Sequence, residues 1–243
     1  MNIFEKLSSG KKEGRKQLAV LLDPDKVPAE RLISVINYAE TAAVDYFFVG
    51  GSHLSGTNFS GCISKLKDLT QIPVVIFPGD QMQVDPNADA LLFLSLISGR
   101  NPEFLIGKHV QAAPVIKEYG LEVISCGYML IEGGNTSAVQ YISHTFPIPA
   151  AKTGIALSTA IAAEMLGMKT IYLEAGSGAA NHVPLKMIEK ISKNVTVPLI
   201  VGGGIRDGAT AKQICNAGAD LIVVGTAFEK DPSLIAEISS AIY

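Results

Sequence analysis

The chain has 243 residues, of which 48% are hydrophobic and 18% charged, so it has enough apolar material for a large buried core. Its formal net charge is -3, from 20 basic and 23 acidic residues, and no overall positive field attracts nucleic acid. The first residues lack a signal-peptide core, and the longest apolar stretch is well short of the ~20 residues that span a bilayer. Three widely spaced cysteines are typical of a reducing, cytoplasmic setting. We therefore expect a cytoplasmic protein with no nucleic-acid partner and no integral membrane segment.

Eight short apolar runs predict buried strands, because they are rich in β-branched residues and leucine. In chain order they cover 18–22, 46–50, 74–77, 90–94, 122–130, 170–174, 199–203 and 221–225. Between them, apolar residues recur three and four apart, which predicts helices. The predicted helices cover 29–43, 60–70, 102–119, 158–168, 184–192, 208–218 and 232–243. After the third strand, 81–89 is too short and too polar for a full helix.

The alternation of strands and helices predicts an α/β fold with a parallel sheet covered on both faces. Eight such units in 243 residues fit a (β/α)8 TIM barrel, for which about 250 residues is typical. We predict a single barrel domain over residues 1–243, modified by one irregular or missing helix after strand 3. A doubly wound open sheet is the alternative.

Two successive late strands end in glycine, in "VGGGIRDG" (201–208) and "VVGTAF" (223–228). In barrels of this kind, phosphate is often held by the loops after strands seven and eight. Gly203, Gly204 and Gly225 would let backbone N–H groups approach an oxyanion, and Thr226 would add a hydroxyl. The alternative is a pair of tight turns. A dinucleotide site is disfavoured because "GGGIRDG" does not match GxGxxG.

The sixth strand ends in "YLEAGSGAA" (172–180), which adds a third glycine-rich loop. Gly176, Ser177 and Gly178 would lie beside the predicted phosphate site. A carboxylate repels phosphate, so Glu174 is expected to contact a hydroxyl of the same ligand. The sequence therefore predicts a small polyol phosphate as ligand.

The first two strands end in groups that suit magnesium, namely Asp23 and Asp25 in "LLDPDK" and Ser52 in "VGGS". Magnesium commonly binds through one or two carboxylates, with water and substrate phosphates as its other ligands. Asp-Pro-Asp is also ordinary turn chemistry. Adjacent barrel strands bring Asp23 and Ser52 together, which favours Mg²⁺.

Together the motifs resemble the geranylgeranylglyceryl phosphate synthase family, in order and over nearly the whole chain. The motifs are "LLDPDK", "VGGS", "IFPGD", "LISGRNPEFLIGKHVQAAP", "AAEMLGMKTIYLEAGSGA", "VGGGIRDG" and "VVGTAFE". The resemblance implies a prenyltransferase of lipid biosynthesis on a modified (β/α)8 barrel that lacks one helix. It implies that sn-glycerol 1-phosphate attacks C1 of geranylgeranyl diphosphate, forming an ether and releasing diphosphate.

The resemblance also implies roles for individual residues. Glycerol phosphate would contact Tyr172, Leu173, Glu174, Ala175, Gly176, Ser177, Gly178, Gly203, Gly204, Gly225 and Thr226. Asp23 and Ser52 would bind Mg²⁺, with Asp25 as an alternative metal residue. Glu174 would hold and deprotonate the attacking hydroxyl, and Tyr172 would face the allylic cation. Candidates for the prenyl trough are 93–99 and the irregular third unit.

One departure concerns the cation that holds a substrate phosphate. Some family members carry a lysine two residues before the first aspartate, where this chain has Leu21. Lys26 and Arg206 are the candidates here.

Two other functions share parts of this pattern. A phosphosugar isomerase or lyase barrel would use the same phosphate loops but requires an acid–base pair. A glycerol-phosphate-sensing barrel that binds RNA is disfavoured by the acidic net charge. We also expect a homo-oligomer, supported by the apolar helix at 158–168.

Overall fold

The computed structural model, which describes residues 2–52, 54, 56, 58–225, 228 and 231–243, is a closed parallel barrel. The strands pair in chain order, and β8 pairs with β1 through Val20 and Val224. They are β1 (Gln17–Leu22), β2 (Tyr46–Val49), β3 (Val74–Ile76), β4 (Ala90–Leu96), β5 (Glu122–Leu130), β6 (Thr170–Glu174), β7 (Leu199–Gly202) and β8 (Leu221–Val224). The predicted barrel is confirmed, and closure excludes the doubly wound open sheet.

Among the described residues, a helix follows every strand except β3. Those described are α1 (Ile3–Glu13), α2 (Ala29–Thr41), α3 (Phe59–Leu69), α4 (Lys108–Tyr119), α5 (Ala138–Ser143), α6 (Thr153–Met165), α7 (Leu185–Ser192), α8 (Gly208–Asn216) and α9 (Leu234–Ile242). A π-helical turn, Glu103–Gly107, leads directly into α4. Residues 77–89, all of them described, contain no helix. The predicted missing helix after strand 3 is confirmed.

Two apolar layers hold the barrel together. Alternate strand residues point inward, and a central cluster forms around Tyr46, Phe48, Tyr128 and Tyr172. The remaining strand residues pack outward against the helices in a second cluster. Because each strand is buried on both faces, it reads as an uninterrupted apolar run.

Helix α1 closes the N-terminal end of the barrel and was not predicted. Asn2 begins it with a capping box, in which its side chain accepts a 2.8 Å bond from the Glu5 N–H. Leu7 belongs to the inner cluster, and the Glu122 carboxylate accepts bonds from the first helical N–H groups. The open end of the barrel is therefore the C-terminal one. None of the helices described is both long and apolar enough to cross a membrane.

Candidate functional site

A polar cavity of about 680 Å³ opens at the C-terminal ends of the strands. It brings together groups from β1, β2, β6, β7 and β8. The predicted site residues that line it are Asp23, Ser52, Tyr172, Glu174, Gly176, Ser177, Gly178, Gly203, Gly204 and Gly225. Thr226 falls outside the described residues. Most of the groups named from the sequence thus face one cavity.

The loop after β7 requires glycine at two positions. Gly203 and Gly204 have φ of 83° and 72°, in the left-handed region that L side chains rarely adopt. A Cβ on Gly203 would lie 2.5 Å from Glu174 Oε1 and 2.8 Å from the Ala175 nitrogen. The glycines therefore allow the loops after β6 and β7 to pack in direct contact along the cavity wall.

Arg206, one of the two candidate cations, ties these loops together. Its Nη2 donates a 2.7 Å bond to the Ala179 carbonyl, and its side chain lines the cavity. Arg206 therefore places a positive charge beside the glycine loops.

Glu174 is the buried carboxylate of the site. It is 7% exposed, and its Oε1 accepts a 2.6 Å hydrogen bond from the Gly176 N–H. Burial raises the pKa of Glu174 to about 7, although the Gly176 N–H and the Tyr172 hydroxyl oppose that rise by stabilising the charged form. A carboxylate with a pKa near neutral pH is suited to general acid–base work.

Tyr172 lies beside Glu174, and its hydroxyl interacts with that carboxylate and lowers its pKa, although no hydrogen bond of regular geometry joins the hydroxyl to a described residue. It is fully buried, and burial raises the pKa of its phenol, which therefore stays protonated. The Tyr172 hydroxyl and Glu174 Oε2 both lie next to Gly202, where a Cβ would meet them. A buried hydroxyl without a partner is costly unless a ligand supplies one.

Leu173 and Ala175 were also named as substrate-binding residues, but their side chains point the other way. Both belong to the outer cluster between the sheet and the helices. Successive strand residues face opposite sides, so inward-facing Tyr172 and Glu174 leave Leu173 facing outward. Neither residue is among the described residues that line the polar cavity.

Three aromatic rings meet beneath the polar groups. The Tyr172 ring centroid lies 5.3 Å from those of Phe77 and Tyr128, which are 6.0 Å apart. All three residues line the polar cavity. Ring faces carry partial negative charge, so this cluster suits a developing cation.

Asp23 and Ser52 line one corner of the same cavity. The Asp23 Oδ2 lies 2.7 Å from Lys26 Nζ, so the carboxylate already attracts a cation. A Cβ on Gly51 would lie only 3.3 Å from Asp23 Oδ2, so glycine lets this carboxylate lie close against the loop that carries Ser52. One carboxylate, one hydroxyl and room for water and phosphate fit magnesium.

Asp25 has a different environment from Asp23. Its carboxylate accepts hydrogen bonds from the Gly56 N–H at 3.1 and 3.2 Å, and its own N–H donates to Asp23 Oδ1. Within the described part of the chain, no group of three or more His, Cys, Asp or Glu residues is placed to hold a metal. A zinc-type cluster is thus absent from these residues. The Asp25 carboxylate instead holds the loop after β2 through its hydrogen bonds to Gly56.

A second, apolar cavity lies between β4 and α4, on the side where the barrel lacks a helix. Phe93, Leu94 and Leu96 line it, together with residues of the segment after β3, as the trough candidates predicted. It adjoins the polar cavity, since Gly51, Ser52, Phe77, Tyr128 and Val139 line both. The absence of a helix after β3 therefore leaves an apolar cavity that opens onto the polar cavity.

Several residues of the apolar cavity were not identified from the sequence. Ala112 and Ile116 of α4 form part of its wall. His109 also lines it, with its ring centroid 4.4 Å from that of Phe93 in an edge-to-face contact, and burial lowers its pKa, which favours the neutral imidazole. Near the rim, Lys108 Nζ lies 2.6 Å from Asp80 Oδ2. The apolar spacing within 102–119 could have signalled α4 as a wall, but not the side of the barrel it faces.

The chain matches the model of the PcrB family over residues 12–242. It belongs to the PcrB family. This PcrB-family chain is 50% identical over 241 residues to a geranylgeranylglyceryl phosphate synthase of Chitinophaga pinensis, covering 99% of this chain and 96% of the relative. It is 54% identical over 229 residues to the same-named protein of Flavobacterium johnsoniae, covering 94% of each.

The comparison with solved structures agrees with the comparison of sequences. The (S)-3-O-geranylgeranylglyceryl phosphate synthase of Thermoplasma acidophilum, in complex with its substrate sn-glycerol-1-phosphate, has a TM-score of 0.94 and 32% identity. The match covers 100% of this chain and 98% of that one. A thiamine phosphate pyrophosphorylase from Pyrococcus furiosus, at 15% identity and a TM-score of 0.60, shares the fold alone.

Proposed function

We propose that this protein is a prenyltransferase that joins sn-glycerol 1-phosphate to geranylgeranyl diphosphate through an ether bond. The observation that carries this proposal is the junction of two unlike cavities, one polar with a buried carboxylate and one apolar. A glycerol hydroxyl oxygen forms a bond to C1 of the donor, the bond from C1 to the diphosphate oxygen breaks, and its electron pair leaves with diphosphate. The names of the relatives support this function over the isomerase and RNA-sensing alternatives.

The polar cavity suits the acceptor. Gly203, Gly204 and Gly225 leave backbone accessible at the ends of β7 and β8, and Arg206 adds positive charge nearby. We place the phosphate against these groups, at the position where barrels often bind it. The glycerol hydroxyls then extend toward Glu174.

Glu174 accepts the hydroxyl proton in this scheme. Its carboxylate has a pKa of about 7, so a large share is ionised near neutral pH and is basic enough to take a proton. The Gly176 N–H fixes one oxygen, and the second is left to face the substrate. The Tyr172 hydroxyl, which makes no hydrogen bond of regular geometry within the described chain, would bond to the same glycerol unit.

The apolar cavity suits the donor chain. As diphosphate leaves, C1 gains positive charge, and the rings of Phe77, Tyr128 and Tyr172 offer an electron-rich wall. Phe77 and Tyr128 lie where the cavities join, so the reacting carbon would be held there while the chain runs between β4 and α4.

Asp23 and Ser52 would hold Mg²⁺ beside this junction. A bound magnesium ion would offset the negative charge that develops on the departing diphosphate. Lys26, which pairs with Asp23 at 2.7 Å, lies where it would also contact the diphosphate. The two candidate cations thus serve different substrates: Lys26 lies on the side of the prenyl donor and Arg206 on the side of the glycerol phosphate acceptor.

The test is incubation of purified protein with labelled sn-glycerol 1-phosphate, Mg²⁺ and prenyl diphosphates of several chain lengths. We expect an extractable labelled lipid that is stable to acid, greatest with the geranylgeranyl donor and lost on chelation. No labelled lipid with any donor would refute the proposed function, whereas turnover of a phosphosugar without a lipid donor would favour the isomerase or lyase alternative.

The proposal includes a cytoplasmic homo-oligomer. The three buried cysteines are free thiols, as in a reducing compartment. Helix α6 presents Ile155 and Met165 with 54% and 83% exposure, which supports contact with a second copy. Light scattering after size-exclusion chromatography measures the assembly, and a mass of one chain would contradict it.

A further inference from the structure

The side-chain amide of Gln83 lies buried where two loops of the site meet. It is 5% exposed. Its Nε2 donates to the Gly51 carbonyl at 3.0 Å, while its Oε1 accepts from the N–H groups of Gly79 at 3.1 Å and Gly51 at 3.5 Å. One side chain therefore contacts both polar backbone atoms of Gly51 and links the loop after β2 to the loop after β3.

This contact continues the sheet beyond the point where strand pairing stops. Val49 and Ile76 are the last paired residues of β2 and β3, followed by a 2.9 Å bond from the Phe77 N–H to the Val49 carbonyl. Gln83 then offers Gly51 a donor and an acceptor, as a neighbouring strand would. The segment after β3 has no helix of its own. The Gln83 amide therefore fixes this segment in place of the helix packing that would hold it in a regular barrel unit.

The loop that Gln83 holds is the one that carries Ser52. A Cβ on Gly79 would lie 2.7 Å from Ser52 Cα, so the two loops are in contact at this point. On the other side, a Cβ on Gly51 would lie 3.3 Å from Asp23 Oδ2. The Gly51 peptide thus sits between Gln83 and Asp23, and its position sets the spacing of Asp23 and Ser52.

We propose that Gln83 is a positioning residue for the magnesium and diphosphate site, fixing Gly51 so that Asp23 and Ser52 face the junction of the two cavities. Gln83 is not among the described residues that line either cavity, so it acts through the backbone of Gly51. This inference rests on the proposed function and assigns a support for its metal site.

Replacement of Gln83 by Met tests the inference, because Met has a similar length and no amide. Binding of Mn²⁺ as a magnesium probe is measured by electron paramagnetic resonance in the presence of inorganic diphosphate. Binding of sn-glycerol 1-phosphate is measured by calorimetry on the same samples. Gln213→Met, an exposed position on α8, is the matched control.

We expect Gln83→Met to weaken Mn²⁺ binding about 10- to 100-fold, as is usual when a residue that orients a metal ligand is lost. Glycerol phosphate binding should stay within about twofold, since its loops lie at β6 to β8, and Gln213→Met should match wild type. Gln83→Asn, which keeps an amide but is one methylene shorter, should show the same selective loss. Gln83→Asn takes the place of Gln83→Met in the test if the Met variant does not fold.

Wild-type Mn²⁺ affinity in both variants would overturn the inference, as would an equal loss of metal and glycerol phosphate binding, which indicates a merely structural role. Wild-type protein that binds no Mn²⁺ with diphosphate would also overturn it. Wild-type protein that binds metal normally but forms no prenyl ether would refute the proposed reaction, while the comparison of variants would still decide the role of Gln83.

Discussion

The Glu174 carboxylate accepts a 2.6 Å hydrogen bond from the backbone N–H of Gly176, two residues further along the chain. This bond holds one carboxylate oxygen at the end of β6 and leaves the other beside Tyr172. The proposed base is therefore anchored to the backbone of the glycine loop. Any change that shifts the loop also shifts the proposed proton acceptor.

Replacement of Glu174 by Gln should reduce turnover strongly with little effect on acceptor binding. A general base typically contributes about 10²- to 10⁴-fold, and an amide cannot take the hydroxyl proton. The Gln oxygen can still accept from Gly176, so the loop should keep its shape. Single-turnover rates and calorimetric binding of glycerol phosphate separate the two effects. A variant with wild-type rates would remove Glu174 from the chemistry.

The rate should rise with pH through the titration of Glu174. Its carboxyl has a pKa of about 7, and only the ionised form accepts a proton. Below that pH, kcat/KM should fall about tenfold per pH unit. The profile is measured at constant ionic strength with saturating Mg²⁺. A rate that is flat between about pH 5 and pH 8 would contradict this assignment of the base.

The same buried carboxyl should lower the stability of the protein at high pH. Its pKa is 4.5 ordinarily and about 7 in the fold, so between these values the folded chain keeps a proton that the unfolded chain has lost. The free energy of unfolding should therefore decrease as pH rises from about 4.5 to 7.

Glu174→Gln removes that charge and should stabilise the protein by about 1 to 3 kcal/mol at about pH 8. The gain should vanish near about pH 4, where the wild-type carboxyl is protonated in both states. Urea unfolding at the two pH values measures it. An equal difference at both would show that packing, and not charge, distinguishes the variant.

Much of the fold is encoded locally and could be predicted. The run "TIYLE" predicts a strand over 170–174, and the structure has Thr170–Glu174. Buried parallel strands need no partner information to be recognised, because both faces are apolar. The missing helix was likewise visible in the polar residues after β3. Helix α1 was missed, although Asn2 and Glu5 form a recognisable capping box.

The candidate site was predictable only where its chemistry is carried by strand ends. Glu174 and the glycine loops follow directly from motif position in a barrel. The raised pKa of Glu174 depends on burial by loops distant in sequence. Gln83 lies 32 residues from Gly51, and no local pattern indicates that contact. The wall of the apolar cavity depends on which face of α4 lies toward the space left by the missing helix, and that orientation is set by tertiary packing.

Asp23→Asn should weaken the metal requirement selectively. Losing the carboxylate should raise the Mg²⁺ concentration for half-maximal rate by about 10- to 100-fold, because carboxylates bind Mg²⁺ far better than amides. Asp25→Asn is the matched control, since the Asp25 carboxylate bonds to the Gly56 N–H. If Asp25→Asn shows the larger shift, the metal is held by Asp25.

Gly225→Ala and Gly203→Ala should both impair the phosphate site, but for different reasons. A Cβ on Gly225 would make an ordinary 3.5 Å contact with Leu21, so the fold should persist while the new methyl crowds the phosphate. We expect glycerol phosphate affinity to fall about tenfold, or ~1.4 kcal/mol, with an unchanged melting temperature. At Gly203, the left-handed backbone and contact with Glu174 should cost about 1 to 3 kcal/mol of stability as well. Unimpaired binding in Gly225→Ala would move the phosphate away from β8.

The most direct measurement is a crystal structure of the protein with sn-glycerol 1-phosphate and a non-reactive thio analogue of geranylgeranyl diphosphate. We expect phosphate against Gly203, Gly204 and Gly225, a glycerol hydroxyl on Glu174, and the prenyl chain between β4 and α4. A phosphate bound elsewhere, or a prenyl chain outside the apolar cavity, would contradict this expectation.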